Sequence, residues 1–182
     1  MTIATIILVL IMLVLVIRDR LFGFSAQKPE DYAGTEPVFS IQGHLSGPIL
    51  CEGMISGPTG RVTTRFVANM NGQWDGNTGT LTEDFRYSNG RTQLRKWHLE
   101  MTGDNTFVAR ADDIIGVATG VVSGSSAMLR YTIELPKEAG GHKLNVTDWM
   151  YLMENGTILN RSEMRKYGIK VAELTATMRP AA

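Results

Sequence analysis

The stretch DWMYLMENGTILNR, residues 148–161, predicts a β-hairpin. Asn155-Gly156 is a strong turn signal, because a two-residue type I′ turn needs φ > 0 at both central positions. The flanking runs, 142–153 and 157–166, have the composition and alternation of strands. On the first strand, apolar residues that include Met150 share one face with Asp148. A carboxylate in the middle of an apolar face needs a partner, since burial of an unpaired charge is costly.

The predicted turn supplies a partner for Asp148. With two loop residues, Met150 lies opposite Arg161, and Asp148 lies diagonal to Arg161 on the same face. A three-residue turn with a bulge would instead shift the pairing by one residue and move a whole strand face to the other side of the sheet.

A second hairpin repeats the pattern. The stretch EDFRYSNGRTQLRKW, residues 83–97, contains Asn89-Gly90, and a two-residue turn places Asp84 opposite Arg95. Trp97 shares the face of Arg95. An aspartate again meets an arginine beside a large apolar group.

These two pairs are the candidate ligand-binding site. As polar anchors in an apolar cavity they would hold the head group of an amphipathic ligand. The alternatives are buried ion pairs that fix the strand register, and a surface face with no role. The candidate residues are Asp84, Arg95, Trp97, Asp148 and Arg161.

The rest of the chain predicts an all-β fold. Between residues 49 and 178, eight to eleven short β-type runs alternate with turn signals such as GNTG, SNG and KEAGG. We expect an antiparallel, lipocalin-like (calycin-type) barrel of about 8–10 strands, because closure removes the sheet edges. A two-sheet sandwich is the alternative. The stretch 161–174 has some helical periodicity and predicts a short helix there.

Composition and motifs limit the function. The net charge is zero, without a basic stripe, which argues against nucleic acid as a partner. The three histidines and the single cysteine, Cys51, lack the spacing of a metal site. Cys51 lies in an apolar run and is expected to be a buried hydrophobe. No motif of an activated nucleophile is present. We expect a protein without catalytic residues, metal or cofactor; acid–base catalysis by the Asp–Arg pairs is the alternative.

The N-terminus predicts a membrane anchor. Residues 2–17 carry no charge, and snorkelling of Arg18 and Arg20 would extend the span. A cleaved signal peptide is the alternative. The expected domains are an anchor helix at 1–24, a linker at 25–48 and the barrel at 49–182. The three basic residues that follow the run favour a cytoplasmic barrel by the positive-inside rule.

Three stretches together resemble the bacterial family called domain of unknown function 3833: WDGNTGTLTEDFRY (74–87), ADDIIGVATG (111–120) and DWMYLMENGTILNRSEMRKYGIKVAEL (148–174). The resemblance covers roughly residues 30–180 and implies a lipocalin-like barrel, with no activity or catalytic residues to transfer. Many members resemble lipoproteins, with a cysteine just after the apolar run, which this chain lacks. That resemblance implies the periplasmic face of the inner membrane, and the cytoplasmic side is the alternative.

The expected function combines these features. We expect a single-pass, membrane-anchored barrel that binds a lipid or another hydrophobic small molecule at the inner-membrane surface. The alternative is a non-catalytic accessory or scaffold protein of a membrane or lipid-modifying enzyme, with a filled barrel. The identity of any protein partner does not follow from the sequence.

Overall fold

A computed structural model describes residues 3–181 of the chain. Residues 1 and 2 of the predicted anchor, and residue 182 of the predicted barrel domain, lie outside this range. Helix α1 spans Ile3–Phe22, and two 3-10 turns follow at Phe24–Ala26 and Pro29–Tyr32. Helix α2 is a single turn, Ile41–His44.

The predicted transmembrane helix at 1–24 is wrong. In the described residues, no helix has the length and apolar character that a membrane crossing requires. Helix α1 includes Arg18, Asp19 and Arg20, so its uncharged part, 3–17, is shorter than the ~20 residues of a comfortable span.

The predicted antiparallel barrel is confirmed. In the described part of the chain, ten strands form one closed barrel in which each strand pairs with its neighbour in sequence and β1 pairs with β10. The strands are β1 (Gly47–Ser56), β2 (Val62–Asp75), β3 (Thr78–Tyr87), β4 (Thr92–Met101), β5 (Thr106–Arg110), β6 (Ile114–Ser123), β7 (Ser126–Glu134), β8 (Lys143–Leu152), β9 (Ile158–Lys166) and β10 (Ile169–Pro180). A 3-10 turn, Lys137–Ala139, lies in the β7–β8 loop.

The short helix predicted at 161–174 is wrong. These residues form most of β9, a tight turn and the start of β10. Lys166 pairs with Ile169 across a two-residue turn, in which Tyr167 has φ +52° and Gly168 has φ +80°. Two consecutive positive φ angles are the type I′ geometry, which matches the twist of the flanking strands and continues the sheet.

The segment that we expected to be a linker covers one end of the barrel. Phe39, Ile41 and Leu45 are buried in the main core cluster. The Trp74 indole nitrogen donates a hydrogen bond of 3.0 Å to the Leu45 carbonyl. A Cβ on Gly72 would lie 1.9 Å from that oxygen, so β2 approaches α2 more closely than a side chain would allow. We call this the closed end.

Phe24, at the end of the predicted anchor, and the first part of the predicted linker pack on the outside of the barrel. Phe24 and Met128 are buried with Trp149, which is fully buried although it points away from the interior. The Tyr32 ring lies 5.2 Å from the Trp149 ring, and the Tyr151 hydroxyl lies 2.7 Å from Oε1 of Gln27. Residues 24–45 therefore cover first one side and then one end of the barrel.

Candidate functional site

The β8–β9 hairpin differs from the predicted register by one residue. Met150 pairs with Asn160, and Asp148 pairs with Ser162. The face of Asp148 is the interior face, as predicted, because its apolar neighbours along the strand are buried. Arg161 pairs with Trp149 and lies on the outer face. The predicted Asp148–Arg161 pair is therefore wrong.

The turn explains this shift. The amide of Gly156 donates to the carbonyl of Met153, and the amide of Met153 donates to the carbonyl of Thr157. The loop thus has three residues, with Gly156 at φ +78° and Asn155 outside the positive-φ region. This is a type I turn followed by a glycine bulge. Asn155 stabilises it through its side-chain oxygen, which accepts from the amide of Thr157 at 3.0 Å.

The β3–β4 hairpin has the same bulged turn and the same one-residue shift. The amide of Gly90, at φ +84°, donates to Tyr87, and the amide of Tyr87 donates to Arg91. Arg95 therefore pairs with Glu83, and Asp84 pairs with Leu94 on the outer face. Asp84 is exposed, so the predicted Asp84–Arg95 pair is wrong.

Arg95 lies at the centre of the interior polar cluster. Its Nε is 2.9 Å from Oδ2 and 3.1 Å from Oδ1 of Asp113. Its Nη1 is 3.7 Å from Oε2 of Glu83, which is within ion-pair range but too long for a hydrogen bond. The guanidinium stacks on Trp97, 4.2 Å from the ring centroid. Trp97 and Arg95 share the interior face, as the sequence predicted.

Glu83 is the least satisfied member of the cluster. Its side chain is 8% exposed, and among the described residues its Oε2 has no hydrogen-bond partner. Burial raises the pKa of this carboxyl to about 7, and the charges of Asp113 and Asp148 add to the effect against the opposing charge of Arg95. The Nη2 atom of Arg95 is also buried without a hydrogen-bond partner in the described residues.

Asp148 is held by neutral donors. Ser162 Oγ donates to its Oδ1 at 2.7 Å, and the Asn160 side-chain amide donates to the same oxygen. Burial raises the pKa of Asp148, and these two hydrogen bonds oppose that rise because they stabilise the charged form. The Tyr131 hydroxyl is nearby, and burial together with the charge of Asp148 raises its pKa.

These residues line a cavity of about 660 Å³ inside the barrel. Leu45 lies at its closed end, and Pro136 in the β7–β8 loop lies at the other end. We call that end, formed by loops 57–61, 88–91, 111–113, 135–142 and 167–168, the open end. The walls are mostly apolar and aromatic, with contributions from Phe66, Met70, Leu81, Phe85, Leu99, Phe107, Leu129, Met150 and Leu174.

Charge is unevenly distributed over the cavity wall. The lining residues in the described part of the chain carry five carboxylates and one guanidinium, that of Arg95. The carboxylates belong to Glu83, Asp112, Asp113, Glu134 and Asp148. Asp112 and Glu134 are exposed to solvent at the open end, so the excess of acidic groups inside the barrel comes from Glu83, Asp113 and Asp148 against Arg95.

Arg161 takes part in an outer contact instead. Its Nε donates to Oε1 of Glu173 at 2.8 Å, and its guanidinium lies 4.7 Å from the centroid of the Phe24 ring. The side chain is 44% exposed. Arg161 thus helps to attach the N-terminal segment to the barrel surface and does not reach the cavity.

The sequence prediction missed several polar residues of the interior, among them Glu83, Asp113, Tyr131, Asn160 and Ser162. Glu83 and Ser162 would have followed from the bulged register, which is the alternative to a two-residue turn. Asp113 did not follow from the sequence, because nothing in the local sequence brings the β5–β6 turn to Arg95.

Other candidate chemistry has little support here. Cys51 is buried, as predicted, and burial raises the pKa of its thiol to about 12, so the thiolate is not accessible. In the described residues, no group of three or more His, Cys, Asp or Glu side chains has the geometry to hold a metal ion.

The family model described as Protein of unknown function (DUF3833) matches residues 19–180. The chain belongs to this family. The match confirms the resemblance seen in the sequence and covers all ten strands. No curated protein matches this DUF3833 chain.

Solved structures show the same type of barrel. An S-type phycobiliprotein lyase, CPES, from Guillardia theta aligns with a TM-score of 0.58 at 6% identity, over 76% of this chain and 89% of the lyase. Rv2717c from M. tuberculosis aligns with a TM-score of 0.55 at 16% identity, over 81% of this chain and 99% of that protein. At such identities the likeness shows the fold alone.

Proposed function

We propose that this protein binds a small hydrophobic molecule inside its barrel. The single observation that carries the proposal is the interior cavity of about 660 Å³, which lies within the range of about 300–1,000 Å³ typical of ligand pockets. Well-packed interiors contain few voids larger than a water molecule, so a cavity of this size is unusual for a core that serves stability alone.

The composition of the wall supports the same proposal. Apolar and aromatic side chains make up most of the lining, and a few polar groups converge around Arg95. This combination provides apolar surface for affinity and a small number of charges for orientation. Arg95, Trp97 and Asp148 keep the ligand-binding role expected from the sequence, whereas Asp84 and Arg161 lose it because they lie outside.

Solved barrels of similar fold are consistent with this function. One of them is a phycobiliprotein lyase. The alternative expectation, a scaffold with a filled barrel, is disfavoured by the cavity.

The experiment is a titration of the full chain with N-phenyl-1-naphthylamine, a neutral dye that fluoresces in apolar surroundings. We expect saturable, one-to-one binding. Ala172 lines the cavity, and Ala172→Trp should fill part of it and abolish binding. Thr175→Trp places the same side chain on the outer face of β10 and is the matched control. Equal dye binding by both variants, or no saturable binding by the wild type, would refute the proposal.

The periplasmic location expected from the sequence stays a prediction. Fractionation of cells that express the full chain, followed by protease protection of the barrel in spheroplasts, would test it.

A further inference from the structure

The charge of the cavity defines the class of ligand, if the proposed function holds. Among the described lining residues, the cavity has five carboxylates against one guanidinium. The charge of that guanidinium, on Arg95, is already balanced by Asp113 at 2.9 Å. Glu83 shares this guanidinium at 3.7 Å without a hydrogen bond, and Asp148 accepts hydrogen bonds from neutral donors. The other two lining carboxylates, Asp112 and Glu134, are exposed to solvent at the open end.

One oxygen points to the position of a missing contact. Oε2 of Glu83 has no hydrogen-bond partner among the described residues, although the side chain is more than nine-tenths buried and lines the cavity. A buried carboxylate oxygen without a partner costs free energy, and a donor from a ligand would recover it. Asp148, which accepts from two neutral donors, adds negative potential to the same space.

Aromatic rings in the wall favour the same sign of charge. Phe85 and Tyr87 stack with their rings 5.9 Å apart, and Trp97 and Tyr131 meet edge to face at 5.5 Å. All four side chains line the cavity. The face of an aromatic ring attracts a cation through its quadrupole and gives no such stabilisation to an anion.

From these observations we infer that the cavity is a site for a cationic amphiphile, with an apolar tail along the barrel axis and a protonated amine that donates to Glu83. The inference rests on the proposed function and assigns its substrate class. An anion such as a fatty-acid carboxylate could reach Nη2 of Arg95, which also lacks a partner among the described residues, but only next to Glu83 and Asp113. Their repulsion opposes this binding mode.

The experiment compares three ligands with the same tail: dodecylamine, dodecanol and dodecanoate. Each displaces N-phenyl-1-naphthylamine from the full chain near pH 8, below its micelle concentration. We expect the amine to bind about tenfold tighter than dodecanoate or more, because two unit charges at contact interact by several times RT at an effective dielectric of about 20. Dodecanol should fall between them.

Two variants locate the effect. Glu83→Gln should reduce the preference for the amine over dodecanol severalfold, because the glutamine side chain carries no negative charge to attract the ammonium group. Asp84→Asn removes one carboxylate from the outer face of the same strand and should leave the preference unchanged. If Glu83→Gln fails to fold, Asp148→Asn is the second interior variant, with the same expected direction.

The outcomes separate this inference from the proposed function. If dye and dodecanol bind but dodecanoate binds as tightly as the amine or tighter, the inference is wrong and the binding function stands. If Asp84→Asn reduces the preference as much as Glu83→Gln, the selectivity comes from the surface charge, and the site assignment is wrong. If neither dye nor any of the three ligands binds, both the proposed function and the inference are refuted.

Discussion

Glu83 should make the protein less stable as pH rises, and replacing it should remove that dependence. The carboxyl is buried beside Asp113 and Asp148, and its pKa in the folded protein is about 7, against an ordinary value of 4.5. Between these two values the folded state binds more protons than the unfolded state. The free energy of unfolding therefore falls as pH rises through this window and stays constant above it. Glu83→Gln has no proton to lose.

The size of the effect follows from the shift. One pKa unit corresponds to about 1.4 kcal/mol, so the ionised carboxylate lowers the stability of the folded state by about 3 kcal/mol above pH 7. Most of this change, about 2–3 kcal/mol, falls between about pH 5 and pH 8. The glutamine also changes local hydrogen bonds, but that contribution does not depend on pH. The informative quantity is therefore how the difference in free energy of unfolding between the variant and the wild type changes with pH.

Urea unfolding of both proteins at about pH 5 and pH 8 measures this quantity, with tryptophan fluorescence as the signal. We expect the free energy of unfolding of Glu83→Gln, minus that of the wild type, to be about 2–3 kcal/mol larger at pH 8 than at pH 5. Carboxylates that do not interact with Glu83 titrate equally in both proteins and cancel. Asp84→Asn, on the outer face of the same strand, controls for the loss of one charge and must show a smaller change. The same stability difference at both pH values would refute the buried, unsatisfied state of Glu83.

Two further predictions concern the closed end and the outer face. Gly72→Ala should destabilise the protein by about 2 kcal/mol or more in urea unfolding, since its Cβ would lie 1.9 Å from the Leu45 carbonyl oxygen. Gly57→Ala is the control and should destabilise the protein less, because the nearest atom to its Cβ would be 3.8 Å away. Asp148→Ala and Arg161→Met should act independently, because the two residues face opposite sides of the barrel wall; their double variant should match the sum within about 0.5 kcal/mol, and a larger coupling would contradict the register.

The barrel itself was predictable because its signals are local. Each strand alternates apolar and polar residues, and nearly every loop has a glycine or asparagine that marks its place. The observed strands follow the expected ones closely; β9, for example, spans Ile158–Lys166 where 157–166 was expected. Ten short strands with hairpin connections leave few ways to avoid an open edge, and closure is the simplest.

The site was only partly predictable, because its register depends on one residue of loop length. Asn155-Gly156 and Asn89-Gly90 both suggested type I′ turns, yet each forms a bulged turn in which only the glycine has positive φ. The type I′ turn is found at Tyr167-Gly168, where the turn signal is weaker because tyrosine rarely adopts a positive φ. A shift of one residue moved Arg161 and Asp84 to the outer face and brought Glu83 into the interior.

The covering of the closed end was missed for a different reason. Residues 25–48 are rich in proline, glycine and polar residues, which is typical of a linker. Their apolar residues, such as Phe39 and Ile41, are widely spaced and show no period, because each fills a separate position over the barrel end. Packing of this kind depends on the finished barrel and leaves no local pattern.

The acid in the apolar face of β8 is accommodated without a cation of its own. Ser162 and Asn160 stabilise the charge of Asp148 with two hydrogen bonds from neutral groups. An ion pair with Arg161, as expected from the sequence, would have neutralised that charge inside the barrel. Neutral donors satisfy the carboxylate and leave its charge in place, so it still acts on the rest of the cavity. Together with the unpartnered oxygen of Glu83, Asp148 makes the interior complementary to a positive group, and an arginine partner would have prevented this.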